Sequence, residues 1–158
     1  MVRTRSHVAE AEKSLERLFR LAANRKMYAR QAATVGAVVP RPGYALMRSI
    51  DEVGEISMGD LARACSMDPA ATGRQVRTLE DDGIVERIPG ADDARTVVVR
   101  LTDEGRAVLR RIVEVRTGYL AKVLDDWPES DRAELIRLVD RLVDGLRSVP
   151  FKPTPRGG

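Results

Sequence analysis

A candidate recognition surface lies in the segment 69–82, which is predicted to be a helix. Asp68 is a favourable N-cap, and Pro69 suits the first helical position because its missing N–H costs nothing there. At 100° per residue one face carries Ala70, Ala71, Arg74, Arg77 and Thr78, with Gln75 at its edge, and the opposite face carries Thr72, Val76, Leu79 and Gly83. Small residues allow close approach to another surface, arginine can bond guanine O6 and N7, and glutamine can bond adenine. The pattern favours a base-reading face; the alternative is that both arginines are ordinary solvated helix charges.

A second polar pair lies in the loop 89–95, between two predicted strands. Asp93 precedes Arg95 by two residues, so its carboxylate could hold the guanidinium extended toward a minor groove. The alternative is that Asp93 forms the turn and Arg95 solubilises a strand edge. The spacing alone leaves both interpretations open.

The chain lacks the residue patterns of the common catalytic centres. It has one histidine, His7, and one cysteine, Cys65, and neither has a partner nearby in the sequence. Phosphate-binding glycine loops, nucleophile elbows and metalloprotease motifs are missing. Adjacent aspartates at 81–82 and 92–93 leave a carboxylate-pair hydrolase open, although both pairs stand beside turn residues, where aspartate is expected. We expect a protein that is not an enzyme and uses no cofactor or metal, with Cys65 a small buried apolar residue.

Helix and strand signals place these residues in a compact run of elements. The predicted elements are helices at 7–34 and 43–53, a short strand at 55–57, helices at 58–65 and 69–82, strands at 84–88 and 96–101, and helices at 103–126 and 130–147. Two helices joined by a short turn and followed by a hairpin form a winged helix. The predicted fold is mainly α with a small β-wing: a winged helix-turn-helix core plus N- and C-terminal dimerisation helices.

The length of 158 residues suits one domain, or a small domain with an accessory bundle. We predict a winged helix-turn-helix DNA-binding region at 37–102, a helical dimerisation region at 1–36 and 103–148, and a loose tail at 149–158. A single winged helix cannot cover the apolar stripes of the three longest helices, so a homodimer is expected. Because no apolar run could span a bilayer and the N-terminus lacks the core of a secretory signal, we expect a cytoplasmic protein without a membrane partner.

Several motifs resemble the MarR family of bacterial winged-helix transcription regulators. They are Leu79-Glu80 with Gly83-Ile84-Val85-Glu86-Arg87, and Asp93, Arg95, Leu101-Thr102 and Gly105. The resemblance covers nearly the whole chain and implies a homodimer that binds palindromic operator DNA. It implies DNA contacts at Ala70, Ala71, Thr72, Arg74, Gln75 and Arg77, with Asp93 and Arg95 in the wing; we add Thr78 from the helix face above.

The chain also departs from the family pattern. Asp92 and Ala94 replace basic wing residues, and Val39-Pro40 replaces a Leu-Thr pair whose hydroxyl would cap the following helix. The first helix lacks the cysteine of the peroxide-sensing members. The resemblance also suggests an effector site between the dimer helices and the winged helix, for which the candidate lining residues are Tyr44, Met47, Arg48, Arg116 and Tyr119.

The leading hypothesis is therefore a transcription regulator, expected to be a repressor, that is released from double-stranded DNA by a small-molecule effector. The alternative is a protein-binding adaptor that keeps the winged helix and has lost DNA binding. Its main support is the charge of residues 60–100, which hold six basic and eight acidic side chains. A net charge of +3 for the whole chain does not decide between the two.

Overall fold

The computed structural model describes residues 2–22, 39–90 and 96–149, which form six helices and three strands. The elements are α1 (Val2–Ala22), α2 (Arg41–Val53), β1 (Glu55–Ser57), α3 (Met58–Ala64), α4 (Pro69–Asp81), β2 (Val85–Pro89), β3 (Val97–Leu101), α5 (Asp103–Val123) and α6 (Glu129–Ser148). This is the predicted mainly α fold with a small wing. None of these helices is long and apolar enough to cross a membrane.

The helix-turn-helix forms because each of its helices begins at a side-chain cap. The Ser57 hydroxyl accepts from the Asp60 N–H at the start of α3, and the Asp68 carboxylate accepts from the Ala71 N–H at the start of α4. Both caps were predicted, and each satisfies a backbone donor that the first helical turn leaves without a partner. Between the helices, Ser66 adopts a φ of 50°, which lets the chain turn tightly.

Strand β3 lies at the centre of an antiparallel sheet, with β1 on one side and β2 on the other. Glu55 and Glu86 both stand opposite Arg100, one on each neighbouring strand. The sequence predicted all three strands, to within a residue at each end. It did not predict that β1 joins the hairpin, a pairing that closes the sheet against the helix-turn-helix.

The core lies between this sheet, the helices α2 to α4 and the first half of α5. Its fully buried side chains include Leu46, Ile50, Leu61, Val76 and Val99. Helix α5 adds Val108, Leu109 and Ile112. The beginning of α5 therefore belongs to the winged helix by packing, although the sequence assigned residues 103–148 to the dimerisation region. The chain divides into two compact units, residues 1–116 and 117–158.

Helix α5 begins with an unusually close contact. A Cβ added to Gly105 would lie 2.0 Å from the carbonyl oxygen of Ile84. The Thr102 hydroxyl accepts from the Gly105 N–H at 2.9 Å and donates to the Gly83 carbonyl at 2.6 Å. The Thr102 N–H donates to the Ile84 carbonyl at 3.0 Å. These bonds join the start of α5 to the turn that follows α4.

Two helix boundaries differ from those predicted by three residues or more. Helix α1 begins at Val2 instead of residue 7 and is described to Ala22, so residues 23–34 of the predicted helix lie outside the described part. Helix α5 ends at Val123, not at 126, and a turn follows in which the Trp127 N–H donates to Leu124. A proline disfavours helical geometry in the residue that precedes it, and Pro128 directly follows Trp127.

The predicted helix 69–82 ends before Gly83, and the structure confirms that Gly83 lies just beyond α4, with a φ of 71°. One predicted placement needs correction. Cys65 is half-buried, not buried, and its sulfur lies 3.3 Å from the Ser49 hydroxyl.

Substituting Gly105 with alanine tests the close contact directly. Because the new Cβ meets backbone, the strand or helix must shift, and we expect Gly105→Ala to lower the free energy of unfolding by about 1–3 kcal/mol. Gly118→Ala, in the same helix but with open space around it, is the control and should raise that free energy by about 0.5–1 kcal/mol. Urea unfolding measures both, and equal midpoints for the two variants would contradict the packing described here.

Candidate nucleic-acid interface

Helix α4 has one buried face and one exposed face, as the helical wheel predicted. Val76 and Leu79 are buried, whereas Arg74, Arg77 and Thr78 are exposed. Ala70 is exposed, and Ala71 and Gln75 are half-buried at the edges. Six of the seven predicted α4 contact residues thus lie together on the accessible side of the helix: Ala70, Ala71, Arg74, Gln75, Arg77 and Thr78.

Thr72 is the exception. Its side chain is 0% exposed, and its hydroxyl donates to the Asp68 carbonyl at 3.0 Å. A buried hydroxyl with its hydrogen engaged cannot reach a duplex, so the inclusion of Thr72 among the DNA contacts is wrong. Thr72 instead anchors the first turn of α4 in the core.

The two arginines of the exposed face are available for a partner. Within residues 2–22, 39–90 and 96–149, neither Arg74 nor Arg77 forms an ion pair. The Thr78 hydroxyl donates to the Arg74 carbonyl at 3.2 Å, a bond within the helix that leaves both guanidinium groups untouched. The face therefore combines two accessible cations, a half-buried amide and small residues.

Other arginines of the winged helix are engaged by carboxylates. Arg63 on α3 bonds Asp60, which also accepts from the Ser57 hydroxyl. The hydrogen bond from Ser57, followed by that from Arg63, lowers the pKa of the Asp60 carboxyl below its ordinary value. This chain of bonds fixes the exposed Arg63 side chain on the first helix of the helix-turn-helix.

The sheet carries a row of three charges across its strands. The Arg100 Nε donates to Glu86 at 2.8 Å, and a second nitrogen of Arg100 lies 3.5 Å from Glu55. The hydrogen bond and charge of Glu86, and then the charge of Glu55, raise the pKa of the Arg100 guanidinium. Sequence analysis missed this row, because the strand register that aligns the three residues is not a local signal.

The wing candidates Asp93 and Arg95 lie outside the described residues, so their predicted contact stays a prediction. Strands β2 and β3, which flank them, are described to Pro89 and from Val97.

Two of the predicted effector residues, Tyr44 and Arg116, contact each other. The Arg116 guanidinium lies 3.7 Å from the centre of the Tyr44 ring, so these two side chains stack as a cation–π pair. Met47 is 0% exposed and belongs to the core, so it does not line an open site. Tyr119 is exposed and belongs to the unit 117–158.

Arg48 instead lines a cleft of about 470 Å³ between α2 and the first half of α5. The cleft residues are Arg48, Asp51, Arg106, Leu109, Arg110, Val113 and Glu114. Of the three arginines, Arg106 is held by Asp103 and the Leu101 carbonyl. The described part of the chain has no group of three or more His, Cys, Asp or Glu residues that could hold a metal ion.

Two known proteins are similar in sequence to part of this chain. The chain is 30% identical over 101 residues to the HTH-type transcriptional repressor Rv2887 of Mycobacterium tuberculosis, an alignment that covers 64% of this chain and 73% of that protein. It is 28% identical over 104 residues to the HTH-type transcriptional regulator YdgJ of Bacillus subtilis, covering 66% of this chain and 63% of YdgJ. The chain thus spans less than two thirds of the length of YdgJ.

Solved structures extend the likeness to most of the chain. A MarR family protein from Bacillus stearothermophilus superposes with a TM-score of 0.73 at 21% identity, covering 90% of this chain and 96% of that one. A mutant MarR from E. coli complexed with operator DNA has a TM-score of 0.63 at 24% identity, covering 82% and 93%.

The model of the MarR family matches residues 39–97, from the residues before α2 to the start of β3. That range contains the helix-turn-helix, β2 and the whole exposed face of α4. This match and the identity to Rv2887 both indicate the same family. The chain belongs to the MarR family.

Proposed function

We propose that the protein is a cytoplasmic, sequence-specific DNA-binding transcription regulator, and that it acts as a repressor on a palindromic operator as a homodimer. The observation that carries this proposal is the exposed face of α4, where Arg74 and Arg77 have no ion pair within the described residues. Two cations that lie beside small residues and have no carboxylate partner in the described part of the chain suit a duplex, in which arginine meets base edges or phosphates.

The comparisons support the proposal. One relative is named as a repressor, and a protein of similar fold is seen complexed with operator DNA. In this chain the proposed contacts are Ala70, Ala71, Arg74, Gln75, Arg77 and Thr78 of α4, with Asp93 and Arg95 of the wing. Arg95 would enter the minor groove, where an arginine distinguishes mainly A·T from G·C pairs.

Exposed apolar side chains support the homodimer. Helix α6 has no buried residue, yet one of its faces carries Leu135, Ile136, Leu138, Val139, Leu142, Val143 and Leu146. Phe19 of α1 is 59% exposed, and Tyr119 and Leu120 of α5 are also exposed. An apolar surface of this kind usually marks a protein interface. A second copy of the chain would bury it.

Release by a small effector is the remaining element of the proposal. The cleft is lined by three arginines, two carboxylates and the apolar side chains of Leu109 and Val113. Its one positive charge in excess and its apolar residues suit a small molecule that is partly apolar and negatively charged. The cleft lies between α2 and α5, so an occupant would touch two elements that pack against the helix-turn-helix.

Titration of DNA binding against salt tests the main proposal. A regulator should bind duplex DNA with an affinity that falls steeply as salt rises, because phosphate contacts release counterions. Fluorescence anisotropy with random and promoter duplexes measures this. The adaptor alternative requires no DNA affinity even at low salt, and that result would overturn the proposal.

Arg74→Ala tests the exposed face of α4. If Arg74 reads a base, the variant should lose about 1–3 kcal/mol of binding free energy and relax the preference at one operator position. Arg147→Ala removes the same charge from an exposed position at the end of α6 and serves as the control. Binding to a panel of single-base operator changes measures both variants. Equal affinities for Arg74→Ala and the parent on every duplex would contradict a DNA contact at this position.

Sedimentation equilibrium tests the homodimer. The parent should have about twice the chain mass of 17.5 kDa at micromolar concentration. Leu142→Glu places a charge on the apolar face of α6 and should shift the mass toward the monomer, because an interface cannot bury an unpaired carboxylate. Arg141→Glu, one residue earlier and outside the apolar face of the helix, should leave the dimer intact. A monomeric parent would overturn this part of the proposal.

The spacing of half-sites tests the palindromic arrangement. A two-fold dimer presents two copies of α4, which match half-sites about 34 Å apart, or about 10 bp. Inserting about 5 bp between them turns one half-site to the far side of the duplex, and most of the affinity should be lost. An operator that tolerates this insertion in an electrophoretic shift assay would rule out the two-fold model.

A further inference from the structure

An ion pair joins the wing to the helix of the candidate interface. The Arg87 Nε lies 3.4 Å from the Glu80 carboxylate, and about one third of each side chain is exposed. Glu80 is the next-to-last residue of α4, and Arg87 is the third residue of β2. The pair therefore bridges the turn between the end of the helix and the first strand of the hairpin.

The alternation of side chains along β2 explains why Arg87 can reach α4. Arg87 stands opposite Val99, which is fully buried, so it shares the face of the sheet that packs on the helices. Glu86 projects from the other face, where it bonds Arg100. On one face of the sheet, an ion pair thus joins β2 to α4. On the other face, ion pairs join the three strands to one another.

We propose that the Glu80–Arg87 pair is a positioning contact for DNA binding, which sets the angle of the wing hairpin relative to α4. This inference rests on the proposed function, because it assumes that helix and wing meet the duplex together. A five-residue strand is about 16 Å long, so a tilt of about 10° at its base displaces its far end by about 3 Å. A displacement of that size is enough to break a contact between the wing and a DNA groove.

The fold itself does not depend on this pair. Half-exposed ion pairs contribute little to stability, and the same junction is already joined by the Thr102 bonds to Gly83 and Ile84. The pair constrains an angle, and the backbone bonds hold the elements together. Its removal should therefore change DNA binding more than folding.

Glu80→Gln distinguishes a positioning role from a simple charge effect, because the two effects change the affinity for DNA in opposite directions. Removing a negative charge near phosphates should strengthen DNA binding by charge alone. Loss of positioning should instead weaken binding to a duplex that the parent protein selects from a random-sequence library, by between about twofold and about thirtyfold. Binding to an unselected random duplex should not weaken. Hydroxyl-radical footprinting of the selected duplex should lose the minor-groove protection given by the wing.

Asp81→Asn is the matched control. It makes the same change of charge one residue further along α4, at an exposed side chain without an ion pair in the described part of the chain. It should bind both duplexes as tightly as the parent or more tightly. The double variant Glu80→Arg with Arg87→Glu restores an ion pair of reversed polarity and should recover affinity and footprint relative to Glu80→Gln. All three variants should melt within about 3 °C of the parent.

The outcomes separate the positioning role from the proposed function. If the parent binds neither duplex at low salt, the proposed function fails and the positioning role fails with it. If the parent binds and Glu80→Gln behaves like Asp81→Asn on both duplexes, DNA binding stands and the positioning role is overturned. A melting temperature of Glu80→Gln far below that of the parent would make the pair a stability contact and would also overturn the proposal.

Discussion

The approach of Gly105 to the Ile84 carbonyl is the contact on which the arrangement of the winged helix depends. No side chain fits between the two, since even a Cβ would lie 2.0 Å from the oxygen. Thr102 closes the same junction by accepting from Gly105 and donating to Gly83. The end of α4, the beginning of β2, the end of β3 and the beginning of α5 therefore meet within a few residues. Because α4 leads into this junction, the candidate interface takes its orientation from it.

The acidic excess of residues 60–100 has a structural explanation. Asp68 caps α4, Asp60 bonds Ser57 and Arg63, and Glu80 and Glu86 pair with arginines of the sheet. These four carboxylates, of the eight in the segment, are used within the fold. The charge count is therefore weaker support for an adaptor, because three of these acids hold Arg63, Arg87 and Arg100, whereas Arg74 and Arg77 have no ion pair within the described residues.

Contacts between residues close together in the sequence were predictable from it, and contacts between different secondary-structure elements were not. The caps at Ser57 and Asp68 and the two faces of α4 depend on residues within one or two helical turns, and the structure confirms them. The ion pairs of Arg100 depend on strand register, which brings together residues far apart in the chain. The ion pair of Arg87 depends on how β2 packs against α4. Thr72 was misplaced because a family contact position was transferred against the helical wheel, which had already put this residue on the buried side.

Helix α4 combines restraint at its ends with accessibility along its middle. At its first turn Asp68 bonds the Ala71 N–H and Thr72 is buried, and at its last turn Glu80 pairs with Arg87. Between them, Arg74 and Arg77 project from a backbone that cannot readily shift. A flexible side chain reads a surface selectively only when its backbone is fixed, because otherwise the ordering of the backbone would offset the free energy of the new hydrogen bonds. The carboxylates of the winged helix therefore restrain the two ends of α4 and engage other arginines, whereas Arg74 and Arg77 have no ion pair within the described residues.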